Sequence, residues 1–316
     1  MLKRMKNRLP ILFGIVTALL YLVILTLLPL LLVALGVEIT DKNVYLLQFL
    51  ATAAASAFMI LIVWRIGYGW IFTTKSRGFL YNVGTGGYPL TVCGIALASN
   101  LGTYLLVEGH VFRTPLPFLE ILSFTLAMLG IGFAEELVFR GILTNLLREK
   151  YSTKTDQGIF TVLFIQGAIF GVCHMGNVLS GVKLESAIVQ AIMAGLLGVM
   201  LGAIYLRTNS FWFVAFLHGL NDFCALIASG LYGLDNMSET INSYSWFNLA
   251  GAPLYITVCC ILLRRSKRRE IKGEQVQELP LYWRIIKGVL LACLSCFLIM
   301  SVFVSNLVYS LSKGGA

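Results

Sequence analysis

The run from Ile11 to Leu35 contains no charged residue over 25 positions, and comparable runs recur along the whole chain. A helix that crosses the hydrocarbon layer of a bilayer needs about 20 consecutive apolar residues. Nine segments meet that requirement, near residues 11–35, 45–66, 88–107, 118–147, 159–175, 185–206, 211–230, 247–263 and 288–311. Only 12% of the 316 residues are Asp, Glu, Lys or Arg, against 58% hydrophobic. Soluble domains carry roughly 25% charge, so this surface is built to face lipid. The expected fold is therefore all-α: one polytopic transmembrane helix bundle of about nine spans over residues 1–316.

The Lys and Arg residues give an orientation. With the amino terminus inside, nineteen of the 24 fall in loops on the inner side and four on the outer, with Arg140 left inside a span. That bias is the positive-inside pattern and predicts the amino terminus in and the carboxyl terminus out. It also accounts for the net charge of +9 without a nucleic-acid partner: the charges sit in short loops beside spans, where they meet anionic headgroups. The densest run, from Arg264 to Lys272, reads as a cytoplasmic loop, followed by an interfacial helix around Leu279 to Gly288. The glycine-rich stretch Tyr81 to Pro89 reads as a turn, since no strand precedes it. The amino-terminal run is too long for a signal peptide and lacks a small-residue cleavage site, so it reads as a retained first span. All seven cysteines lie in apolar segments as small hydrophobes, and Cys293-x-x-Cys296 has no second pair or nearby His to make it a metal or redox motif.

Against this background a few polar residues stand out, because charge and imidazole inside spans are expensive and default to function. Glu120 lies near a helix end and can reach the headgroups, and His110 falls in an outer loop. Six others form three groups on three spans. In Gly132–Gly141, "GFAEELVFRG", Glu136 and Arg140 are four apart on one helix face and can pair. Glu135 points about 100° away and keeps its carboxylate for another partner. In "FGVCH", Phe170 and His174 share a face; in "HGLND", His218 and Asp222 do, with Asn221 one position off. Asp222 could hold one ring nitrogen of His218 and fix its tautomer. Each group alone has a structural reading as packing or an ion network. Together, a free carboxylate, two buried imidazoles and a carboxylate–imidazole pair are the ingredients of water activation in a shielded site.

These residues resemble the signature of the CPBP intramembrane proteases, a family that groups type II CAAX prenyl endopeptidases with bacteriocin-processing and self-immunity proteins. Its pattern is E-E-x-x-x-R, then F-x-x-x-H, then H-x-x-x-N or H-x-x-x-D, each on its own span. Here it stands as Glu135-Glu136…Arg140, Phe170…His174 and His218…Asp222, over a core of roughly 118–230. The resemblance implies an endopeptidase acting within the bilayer on a membrane-anchored or prenylated peptide; the compact loops and the absence of organelle signals point to a bacterial plasma membrane. By position, Glu135 would activate water with His174 assisting, and His218 and Asp222 would stabilise the oxyanion. Glu136, Arg140 and Phe170 would shape the site. Asp222 stands where Asn is frequent; an ionised aspartate cannot donate, so it either orients His218 or acts directly, and Asn221 is a candidate donor. One zinc ion on Glu135, His174 and His218 is conceivable, but metal-free Glu/His chemistry is adequate and is preferred. Two other classes stay open: a non-enzymatic membrane adaptor or immunity protein, and a proton-coupled transporter, although no inverted repeat supports the latter. By helix rise, Glu135 and His174 lie about 20 Å deep and His218 about 10 Å, a mismatch the fold must close.

Overall fold

A computed structural model of the chain describes residues 2–109, 113–233, 237–274 and 280–314; His110 lies outside them. Every regular element among the described residues is helical. The principal helices are α1 (Pro10–Ala34), α2 (Val44–Arg65), α3 (Gly87–Gly102), α4 (Phe118–Glu136), α5 (Asp156–Cys173), α6 (Leu184–Thr208), α7 (Phe211–Ala225), α8 (Ala252–Leu262), α9 (Arg265–Lys272) and α10 (Leu281–Gly314). Local chemistry sets several boundaries. Pro10 opens α1, where its missing N–H costs nothing. Thr155 caps α5 by accepting from Gly158 N at 3.0 Å, and Ser210 caps α7 by accepting from Phe213 N at 3.2 Å. Gly67, at φ +85°, turns the chain at the end of α2 in a conformation that other residues avoid.

Among the described residues, seven helical stretches are long and apolar enough to cross a membrane, or eight if the bent pair Trp246–Leu262 and Arg265–Lys272 forms one span. Nine were expected. Part of the difference is the segment 247–263, which counts only through that bent pair; the rest is the segment 211–230, whose helix α7 stops at Ala225 after 15 residues. That length is about 22 Å, short of the roughly 30 Å hydrocarbon layer. Asn100 of α3 explains the stop: its Nδ2 donates to Cys224 O and Ala225 O, both at 2.9 Å, taking carbonyls that a continuing helix would use. The chain resumes as a separate turn of helix, Ile227–Tyr232.

Other expectations also shift. The stretch 81–89 is mostly helical, Phe79–Thr85 followed by α3, with the break confined to Gly86, where a Cβ would press on the Phe213 ring at 2.7 Å. Of the expected interfacial helix, Leu279 lies outside the described residues, and Leu281 to Gly288 form the start of α10. The basic run is a helix, α9, bent by 59° from the one before it. Glu270 ties it down: Tyr81 donates to its carboxylate, Lys267 pairs with it, and Arg77 and Arg207 approach to 3.6 and 3.7 Å. Glu270→Ala is expected to free α9 and speed tryptic cleavage between Arg264 and Lys272 severalfold; an unchanged digestion rate would show that other contacts anchor it.

Small residues let the central helices approach closely, as membrane helix packing requires. In the α5–α6 hairpin, Gly198 faces Gly167 and Gly171 faces Gly195, where added Cβ atoms would lie 3.2 and 3.1 Å from the opposing Cα. At the α4–α7 crossing, a Cβ on Gly132 would sit 2.6 Å from Gly219 Cα, and one on Gly219 would sit 2.9 Å from Leu129 Cα. These two backbone crossings fix where the unusual polar residues meet.

Candidate active site between α4, α5, α6 and α7

Glu135 and Glu136 are the last residues of α4. At Leu137 the helix widens into a π-helix that runs to Thr144, entirely buried. Such a widening leaves carbonyls out of register, and side chains collect them. Thr144 Oγ1 donates to Phe139 O at 2.8 Å, and Asn145 Nδ2 donates to Arg140 O and Gly141 O at 3.0 Å. Nothing in the apolar periodicity announces this segment; the adjacent Thr144 and Asn145 in an apolar stretch were the available signal.

Glu136 and Arg140 form the expected pair, Nη1 to Oε1 at 2.6 Å, with both side chains fully buried. Arg140 reaches further than its own helix. Its Nη2 donates to Gly198 O on α6 at 2.8 Å, an oxygen that also accepts from Gln166 Nε2 of α5 at 2.8 Å. Its guanidinium lies 5.0 Å from the Phe170 ring centre, a cation–π distance. One arginine thus joins α4, α5 and α6.

His218 comes to the same carboxylate. Its Nδ1 is 2.8 Å from Glu136 Oε1, and since a carboxylate accepts, Nδ1 carries the proton. Glu136 therefore takes the orienting part that the spacing suggested for Asp222. Asp222 Oδ2 is 3.8 Å from the other ring nitrogen, Nε2, and Glu135 Oε2 is 3.6 Å from it. Both separations exceed a direct hydrogen bond. The depth mismatch closes because the Gly132–Gly219 crossing sets α7 against α4 with residue 218 beside the glutamates. Asn221 Nδ2 points to Asp222 Oδ1 at 3.4 Å, so its donor is turned towards that carboxylate.

His174 ends α5. Its Nδ1 lies 2.9 Å from Phe170 O and donates to it, which leaves the Nε2 lone pair available in the neutral ring. Phe170 is the spacer between the imidazoles: its ring stands edge-on to His174 at 4.8 Å and to His218 at 5.7 Å. Asp222 lies within electrostatic range of Glu135, His174 and His218. Among the described residues no three His, Cys, Asp or Glu side chains are arranged to hold a metal ion. Glu135, His174 and His218 therefore do not fit a zinc ligand set here, and the chemistry below rests on the side chains alone.

A multi-pass helical membrane protein with two adjacent glutamates, an arginine and two histidines meeting between its helices belongs to a narrow class. Residues 117–224 match the family model for type II CAAX prenyl endopeptidase, Rce1-like, a stretch that contains Glu135 through Asp222. No curated protein and no solved structure matches the chain.

Proposed function

We propose that the protein is an intramembrane endopeptidase that hydrolyses a peptide bond in a membrane-anchored or prenylated peptide, in a bacterial plasma membrane. The observation that carries this reading is the difference between the two glutamates. Glu136 spends its Oε1 on Arg140 and His218 and leaves only Oε2 unbonded, whereas Glu135 makes no hydrogen bond among the described residues, its buried Oε2 lying 3.6 Å from His218 Nε2. An ion network alone needs only Glu136; a second carboxylate with a buried oxygen that accepts no hydrogen bond is costly unless it acts on something.

In this reading Glu135 takes a proton from the attacking water and returns it to the leaving amine. His174 assists through the free Nε2 that its Nδ1–H bond to Phe170 leaves available. His218, held at Nδ1 by Glu136, turns Nε2 towards Glu135 and Asp222, so its protonated form offers an N–H to the developing oxyanion. The basic loops would draw anionic lipids and hold the site at a fixed depth. The test uses purified protein and lipidated peptides in liposomes, comparing wild type with Glu135→Gln and His174→Ala. Each substitution is expected to slow hydrolysis by about a hundredfold to ten-thousandfold. Equal cleavage by all three refutes the mechanism, and full in-cell function of Glu135→Gln without any cleavage points to an adaptor.

A further inference from the structure

Outside the family-matched segment, one side chain of α1 is unexplained. Tyr21 is 1% exposed, and its hydroxyl has no hydrogen-bond partner among the described residues. Buried tyrosine hydroxyls nearly always find one, so an orphan needs a reason. Tyr21 lies within electrostatic range of Glu135, Asp222 and Cys173, the residue just before His174. Packing puts α1 there independently. Gly14 sits against the Leu143 side chain of the π-helical segment, and Ala18 and Leu22, either side of Tyr21, line an apolar groove of about 680 Å³ shared with Ile169 and Cys173 of α5.

Tyr21 Oη and Glu135 Oε2 are thus two of the buried polar atoms without hydrogen-bond partners in one neighbourhood, beside Glu136 Oε2 and Gln166 Oε1, and of these four only Tyr21 Oη can donate. Most other donors around the glutamates are committed. Arg140 gives both terminal nitrogens to Glu136 and Gly198 O, Gln166 gives Nε2 to Gly198 O, His174 gives Nδ1 to Phe170 O, and Asn221 faces Asp222. Arg140 Nε is also unpaired, but it belongs to a side chain clamped at its other end. At the position where a neutral amide could donate, this chain has Asp222, which as a carboxylate only accepts.

We infer that Tyr21 is a catalytic residue of the proposed endopeptidase, its hydroxyl donating a hydrogen bond to the scissile carbonyl oxygen in place of the donor that Asp222 does not supply. The inference rests on the protease reading. When the water oxygen bonds to the carbonyl carbon, the C=O π pair moves onto oxygen, and Tyr21 O–H stabilises that charge without giving up its proton. The tetrahedral species then collapses, the C–N bond breaks, and the amine leaves with the proton held by Glu135.

Hydrolysis of a lipidated reporter peptide in liposomes tests this, with folding followed by thermal unfolding. Tyr21→Phe is expected to lower kcat by about a hundredfold to a thousandfold, the loss typical of one oxyanion donor, with KM and Tm unchanged. Adding Asp222→Asn to Tyr21→Phe should recover at least about tenfold of that loss, because the amide restores a donor; a purely structural hydroxyl would not be rescued this way. Unchanged kcat in Tyr21→Phe, or a fall with no rescue, overturns the inference while the protease reading stands. Failure of the wild type to cleave any peptide overturns both. Should Tyr21→Phe not fold, fluorotyrosine at position 21 keeps the shape and ionises at lower pH, so an alkaline limb of the kcat profile should move down; an unmoved limb overturns the inference.

Discussion

Arg140→Met alone is expected to destabilise the protein by about 3–5 kcal/mol, because it strands Glu136 as a buried carboxylate balanced only by an imidazole. The pair is wholly excluded from solvent, with Nη1 2.6 Å from Oε1. The substitution also removes a donor from Gly198 O, although Gln166 still satisfies that oxygen. Replacing both partners, as Glu136→Leu with Arg140→Met, should recover most of the stability, since neither charge is then desolvated. Activity should not return, because His218 loses the acceptor that sets its tautomer. Thermal unfolding in detergent, followed by tryptophan fluorescence, measures the first effect, and peptide hydrolysis the second. A single mutant as stable as wild type, or a double mutant that cleaves normally, would show that the network is ornamental.

Gly132→Ala should be nearly as severe despite adding one methyl group. Its Cβ would overlap the backbone of Gly219, 2.6 Å from Cα, and would also lie 2.9 Å from Ala215 O. Backbone cannot swing aside as a side chain does, so α4 and α7 must separate. A shift of about 1 Å at the reacting groups is enough to cost roughly a hundredfold in rate. The same shift would break the 2.8 Å contact between His218 and Glu136. Hydrolysis should therefore fall by about a hundredfold or more, whereas Gly176→Ala, whose Cβ meets nothing within 4 Å, should retain wild-type rates. Equal activities for the two variants would contradict the close crossing.

Much of this was legible in the sequence, for physical reasons that vary by residue. Bilayer-length apolar runs locate most spans, because lipid leaves the backbone no alternative to helix. The Glu136–Arg140 pair follows from helical spacing alone. What the sequence hides is contact between helices. Nothing local shows that Glu136 rather than Asp222 holds His218, since that depends on two glycines 87 positions apart meeting at a crossing. The early end of α7 is invisible for the same reason: its cause is Asn100, on a different helix. Tyr21 reads as one more aromatic in an apolar run until its unpartnered hydroxyl is placed near Glu135. Gly132, Gly219, Gln166 and Asn145 likewise carry no sign of their roles except their oddity in lipid.

The meeting of α4 and α7 without intervening side chains has a consequence for the bilayer around them. A thicker or thinner membrane changes helix tilt. Two rods in backbone contact lean as a single body, so the glutamates and His218 keep their spacing when lipid thickness varies. Sensitivity of turnover to acyl-chain length should then reflect how the peptide seats itself, not distortion of the machinery that cuts it.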